Sequence, residues 1–145
     1  MSRQAAFKRF GKPTNQRHDE LARRPVRPIL DAAERAFGLV ASASYDALHQ
    51  LMTPETADAL TADLIAETWA KVLSEVGQLE VCRDTQAELS DGTSLDPDES
   101  VLGVMVAATT LQCEAGEMLG RIAFDENGKI IGMLIVPPDH GELPF

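Results

Sequence analysis

Few side chains in this sequence are placed to do chemistry. Tyr45 and His49 stand four residues apart, one helical turn, and Asp46 follows Tyr45. A Tyr–His or Asp–His pair can move a proton once burial or a neighbouring group tunes its pKa. Glu117, Leu119 and Arg121 share one face of an alternating segment, so Glu117 and Arg121 can pair there. A plainer reading fits the same spacing. It packs the Tyr45 ring with its hydroxyl at the surface, leaves Asp46 and His49 exposed, and makes Glu117–Arg121 a surface ion pair. Trp69 and Phe37 sit on apolar helical stripes, as core anchors or as walls of a pocket. The candidates for a ligand pocket are therefore Phe37, Tyr45, His49, Trp69 and Arg121, and no catalytic set is assigned.

Other chemistries lack their residues. His18, His49 and His140 are far apart and nowhere at metal-ligand spacing, so no zinc site is expected. Asp91, Asp96, Asp98 and Glu99 make an oxygen-rich loop, but Gly92 comes too early and Pro97 interrupts the alternation a calcium loop needs. A solvated acidic loop is expected. Cys82 and Cys113 fall on expected strands, as two buried small apolar side chains or as a redox pair meeting across a sheet. There is no glycine-rich phosphate loop and no Gly-x-Ser-x-Gly elbow. No cofactor is expected.

The elements that must position these residues follow from pattern. The chain has 145 residues, enough for one domain and a tail. Residues 1–28 hold eight basic and two acidic residues; the rest holds five basic and 21 acidic. The first 28 show no sustained apolar period and contain Pro13, Pro25 and Pro28, which predicts a disordered basic arm. Such an arm suits an acidic partner, or only solvates. The acidic remainder has few aromatic residues and repels phosphate, so no specific nucleic-acid binding is expected. No apolar run nears the roughly 20 residues of a membrane span. The charged start lacks the apolar core of a secretory signal, so a cytoplasmic chain with reduced thiols is expected.

Pro28 opens a helix over about 28–42 through Leu30, Ala33, Phe37 and Val40. Ser44 can cap a short helix through Tyr45, Leu48 and Met52. Thr53-Pro54-Glu55 and Thr61 are further helix starts. From Thr61 an apolar stripe runs through Ile65, Trp69, Val72, Leu73 and Val76, widened by Leu64, to Gly77. Then the period becomes two: Leu79, Val81, Arg83, Thr85, Ala87 and Leu89 alternate with Glu80, Cys82, Asp84, Gln86 and Glu88, as in a strand with one buried face. Strands are expected at 79–89, 101–113, 117–124 and 129–136, with a loop at 91–100 and an Asn-Gly hairpin at 125–128. Helices followed by a meander give an α+β fold, its curved sheet wrapped around the helices. Residues 101–113 are apolar on both faces, which points to helices on one side and a second subunit on the other.

These pieces resemble a family. The run YDALHQLMTPETADALTADLIAETWAKV, a following Gly, and strands ending in GEMLGRIAFDENGKIIGMLIVPP are similar to a bacterial domain of unknown function. That domain belongs to the nuclear-transport-factor-2-like (cystatin-like) superfamily and occurs alone or beside α/β-hydrolase domains. The likeness spans roughly residues 29–138 and leaves 1–28 and the loose tail 139–145 outside. It implies a cone, with N-terminal helices packed in a curved four-stranded antiparallel sheet around a pocket. It also implies that homodimers are common, and it carries no agreed catalytic residues. The expectation is a non-enzymatic module that binds a small apolar ligand or dimerises through its sheet. The alternatives are a pocket enzyme of isomerase, dehydratase or hydrolase type, and an interaction scaffold acting through the arm.

Overall fold

A computed structural model describes residues 23–145. The disorder expected of residues 1–22 lies outside the described residues. The fold begins inside the stretch read as arm. Arg24–Pro25 (β1) pairs antiparallel with Ser100–Val101 (β4), and Val26 is wholly buried. Four helices follow: α1 Arg27–Ala41, α2 Tyr45–Gln50, α3 Pro54–Ala59 and α4 Ala62–Val76. Then come β2 Leu79–Leu89, β3 Ser94–Leu95, β4, β5 Met105–Cys113, β6 Gly116–Phe124 and β7 Ile130–Val136.

The helix starts have physical causes. Pro28 sits in the first turn of α1, where its missing N–H is no loss. The Thr53 and Thr61 hydroxyls accept from the backbone N–H groups of Thr56 and Leu64, satisfying donors that a helix start leaves orphaned. Ser44 differs from expectation. Its side chain makes no cap bond and instead shares a hydrogen bond of 2.8 Å with Ser42 Oγ. Between α1 and α2, Ala43 takes φ 57°, a left-handed conformation that glycine adopts more readily. Its N–H donates to the Val40 carbonyl, and the Ser44 N–H donates to the Leu39 carbonyl, closing the end of α1.

The main sheet is antiparallel in the order β3-β2-β5-β6-β7. It has five strands rather than the expected four, because Ser94–Leu95 of the acidic loop pairs with Ala87–Glu88. The expected strand 101–113 is two pieces. Val101 ends β4, Gly103 turns with φ 91°, and β5 starts only at Met105. The even alternation read over 79–89 also fails. Bulges between Leu79 and Val81 and between Arg83 and Gln86 shift the faces. Opposed residues share a face. Cys82 therefore goes in with Leu111, whereas Val81 lies out beside Gln112 and is 53% exposed.

Helix α1 lies on the inner face of the sheet, with Ile29, Ala33, Ala36, Phe37 and Val40 buried. Phe37 can bring the tip of its ring onto the sheet because residue 120 is glycine. A Cβ there would stand 2.5 Å from Phe37 Cζ. Helix α4 adds Ile65, Trp69 and Val72 to the core.

The outer face explains why β5 reads as apolar on both sides. Its outward residues are Val106, Ala108, Thr110 and Gln112. Two ion pairs reach across this strand from its neighbours: Arg121 to Glu88 and Arg83 to Glu117, each at 2.6 Å. Pro144 and Phe145 lie in the same neighbourhood as Val106 and Ala123. Part of the cover expected from a second subunit is thus supplied by the chain itself.

Candidate functional site

The five candidate residues do not converge. Phe37 is fully buried between α1 and β6 and opens to no cleft among the described residues. Trp69 is 6% exposed and, with Tyr45, lines a broad groove of about 490 Å³ between α1 and α4. Ser42, Ala43, Leu73 and Gln78 also border it. His49 turns elsewhere. Its Nε2 lies 2.6 Å from the Leu60 carbonyl, so Nε2 carries the proton and ties α2 to the end of α3. Asp46 is exposed. Arg121 is on the opposite face of the sheet. There its side chain, 15% exposed, donates to Glu88 Oε1 and to the Phe145 carbonyl, the latter at 2.7 Å. Glu117 pairs with Arg83 rather than with Arg121. Tyr45, His49 and Arg121 thus have different partners: the groove beside Trp69, the Leu60 carbonyl, and Glu88 with the Phe145 carbonyl on the far face of the sheet.

Residues 139–145, read as a loose tail, form no helix or strand. Phe145 nevertheless lies against β7, where a Cβ added to Gly132 would come within 3.1 Å of its ring.

The cysteines are free thiols on the inner face of the sheet. Burial pushes the Cys82 thiol pKa up, and Glu34 adds to the rise while a hydrogen bond with Thr109 opposes it. Burial also raises Cys113, with Glu80 and Glu114 contributing. Both are therefore held as thiols at neutral pH, the form that is neither a nucleophile nor a metal ligand. Beside Cys82, Thr109 is buried, and its hydroxyl donates to the Arg83 carbonyl and meets Thr85 Oγ1 at 2.8 Å. The Thr85 hydroxyl in turn donates to Glu34. This relay secures the second bulge of β2 to α1.

The acidic loop spends three of its carboxylates on its own backbone, and the fourth, Asp98, pairs with Arg27 of α1 at 2.7 Å. Asp91 accepts from Thr93 N–H, Asp96 from Asp98 N–H, and Glu99 from Asp96 N–H. The Thr93 amide holds the Asp91 carboxyl below the usual range. Among the described residues, no group of three or more His, Cys, Asp or Glu could hold a metal ion. No helix among them is long and apolar enough to cross a membrane.

The cleft with the most apolar lining involves none of the five candidates. It holds about 140 Å³ between α4 and β7. Leu60, Leu64 and Ile65 form one wall, Met133 and Ile135 the other, with Val40 between. Thr68 supplies the one side-chain hydroxyl. Leu64, 42% exposed, is an apolar side chain that the core does not absorb. The strand on this side is an edge: beyond Ile130, residues 131–136 pair only with β6 among the described residues. Two sequence signals point here in hindsight. Leu64 widens the helix stripe past the core face, and KIIGMLIV is apolar on both faces although it is the last strand of the meander.

No curated protein and no solved structure matches the chain. One family profile does, over residues 33–133, more than two thirds of the sequence. The span runs from α1 to Met133 and so takes in most of the apolar cleft. The chain belongs to that family, described as "Protein of unknown function (DUF3887)".

Proposed function

We propose that this chain is a non-enzymatic binding module that takes a small apolar ligand in the cleft between α4 and β7. One observation carries the reading: an apolar cleft at the edge of the sheet, lined by Leu60, Leu64, Ile65, Met133 and Ile135, with Leu64 left part-exposed. Its volume of about 140 Å³ resembles that of a cavity that stays dry and binds benzene, roughly 150 Å³. The occupant is then a benzene-sized group or a short branched alkyl chain. The separation of Tyr45, His49 and Arg121 supports binding over acid–base catalysis. The cone architecture and the superfamily kinship belong to the same proposal.

The test is a titration with the neutral fluorophore 1-N-phenylnaphthylamine, whose phenyl ring is the benzene-sized group. Leu64→Gln is the variant, since a part-exposed side chain can change without emptying the core. The expected loss is about tenfold in Kd, or about 1.4 kcal/mol, a fraction of one buried leucine. Equal binding by both proteins contradicts the reading.

Dimerisation through the sheet is the second reading. Val81 stands exposed on the same face as the half-buried Leu119, Leu134 and Val136. Light scattering on the wild type and on Val81→Glu tests it. A dimer that the substitution splits supports this reading, and a monomeric wild type removes it.

A further inference from the structure

The apolar cleft continues past Met133. A second depression follows β7 from Ile131 to Met133, between Glu55, Ala59 and Leu60 of the α3 segment on one side and the Phe145 ring on the other. Leu60 and Met133 line both, so the two depressions adjoin and together make a groove beside β7 with these side chains at its waist. Its strand side carries no charge, whereas Glu55 lines its helical side and the helices that carry that side are acidic. Residues 54–70 contain Glu55, Asp58, Asp63 and Glu67 and neither Lys nor Arg. An occupant matched to this groove presents one apolar side chain flanked by bases.

The chain contains such a sequence. Residues 1–22 hold five basic residues against two acidic ones and include Phe7-Lys8-Arg9-Phe10. They join the fold at a suitable place. Arg24 Nη2 donates to the Asp125 carbonyl at 2.6 Å, and Arg24 Nη1 lies close to Gly128, in the hairpin that leads into β7. The residues between Phe10 and Arg23 reach about 40 Å when extended. The whole of β7 is about 23 Å long. A phenyl ring is also the size of group that the cleft admits.

We propose that residues 1–22 dock in this groove of their own chain, with a phenylalanine of the Phe7–Phe10 run in the cleft and Lys8 and Arg9 facing the carboxylates. The segment is then a built-in competitor for the apolar ligand. This inference rests on the reading of the cleft as an apolar binding site, and it adds a regulator to that site.

The test uses the full chain. Phe7→Ser/Phe10→Ser is compared with wild type for 1-N-phenylnaphthylamine binding at low salt. If the segment fills the groove about four-fifths of the time, the variant binds the probe about fivefold tighter. In about 0.5 M NaCl the wild type moves toward the variant, because exposed charges are screened. Equal binding by both proteins at low salt overturns the proposal. Binding by neither contradicts the cleft reading itself, and a second readout then decides the docking alone. Zero-length carbodiimide crosslinking of a mixture of isotopically heavy and light chains is mapped by mass spectrometry. Lys8 joined within one chain to Glu55, Asp58, Asp63 or Glu67 supports docking. No such link, a link elsewhere, or links only between heavy and light chains overturn it.

Discussion

Replacing Gly120 by alanine tests how the helix layer is seated. The backbone at this position does not require glycine, since its φ is not in the left-handed region. The cost comes from contact alone. The added Cβ would stand 2.5, 2.7 and 3.0 Å from Phe37 Cζ, Cε2 and Cε1. Carbon atoms normally approach to about 3.5–4.0 Å, so the ring must retreat by about 1 Å. Phe37 has no exposed surface and packs in a close-packed core, where overpacking costs about 1–3 kcal/mol. Alanine recovers about 0.5–1 kcal/mol of the strand entropy that glycine loses. The net expectation is a destabilisation of about 1–2 kcal/mol, read by urea unfolding with circular dichroism. Phe37→Leu alone removes ring atoms and costs about 1–2 kcal/mol. It also vacates the space the new methyl needs. The double variant should then be more stable than the sum of the two losses by about 1 kcal/mol. Should Gly120→Ala fail to fold, recovery of folding in the double variant carries the same information. Additive losses would refute the claim that Phe37 lies against residue 120.

Three further outcomes follow from other positions. Ala43→Gly relieves a left-handed alanine and should raise stability by about 0.5–1 kcal/mol in the same assay. Thr109→Val removes a buried hydroxyl that meets Thr85 and donates to the Arg83 carbonyl, so stability should fall by about 1–2 kcal/mol. Iodoacetamide should modify Cys82 more slowly at neutral pH than it modifies a free thiol, since a raised pKa lowers the thiolate fraction. The rate should climb as pH passes above the ordinary thiol range, while Cys113, 1% exposed, stays unmodified until the protein unfolds.

The order of helices and strands was legible because its signals are local. Thr53-Pro54, Thr61, Gly77 and Asn127-Gly128 act within a turn, and the structure puts element ends beside each. What sequence pattern missed depends on partners distant in the chain. The bulges of β2 shift its faces only when β5 is alongside, so strict alternation put Val81 on the wrong side. Ser94–Leu95 counts as a strand only through Ala87–Glu88. Arg121 joins the helix residues as a candidate in the sequence because one strand face cannot be told from the other without knowing where α1 lies. The five candidate residues stand out in the sequence by their reactive or aromatic side chains. The cleft is instead made of ordinary aliphatic ones, whose only local sign is that Leu64 and the last strand carry more apolar surface than the core uses.

The central claim is that an apolar group binds between α4 and β7. Methyl NMR of the full-length protein, with labelled Leu, Ile, Val and Met, titrated with 1-N-phenylnaphthylamine, tests it residue by residue. The account predicts saturable shifts at Leu60, Leu64, Ile65, Met133 and Ile135, with little change at Leu73 and Leu79 beside Trp69 and Tyr45. Shifts centred on Leu73 and Leu79, or none at any methyl, would contradict it.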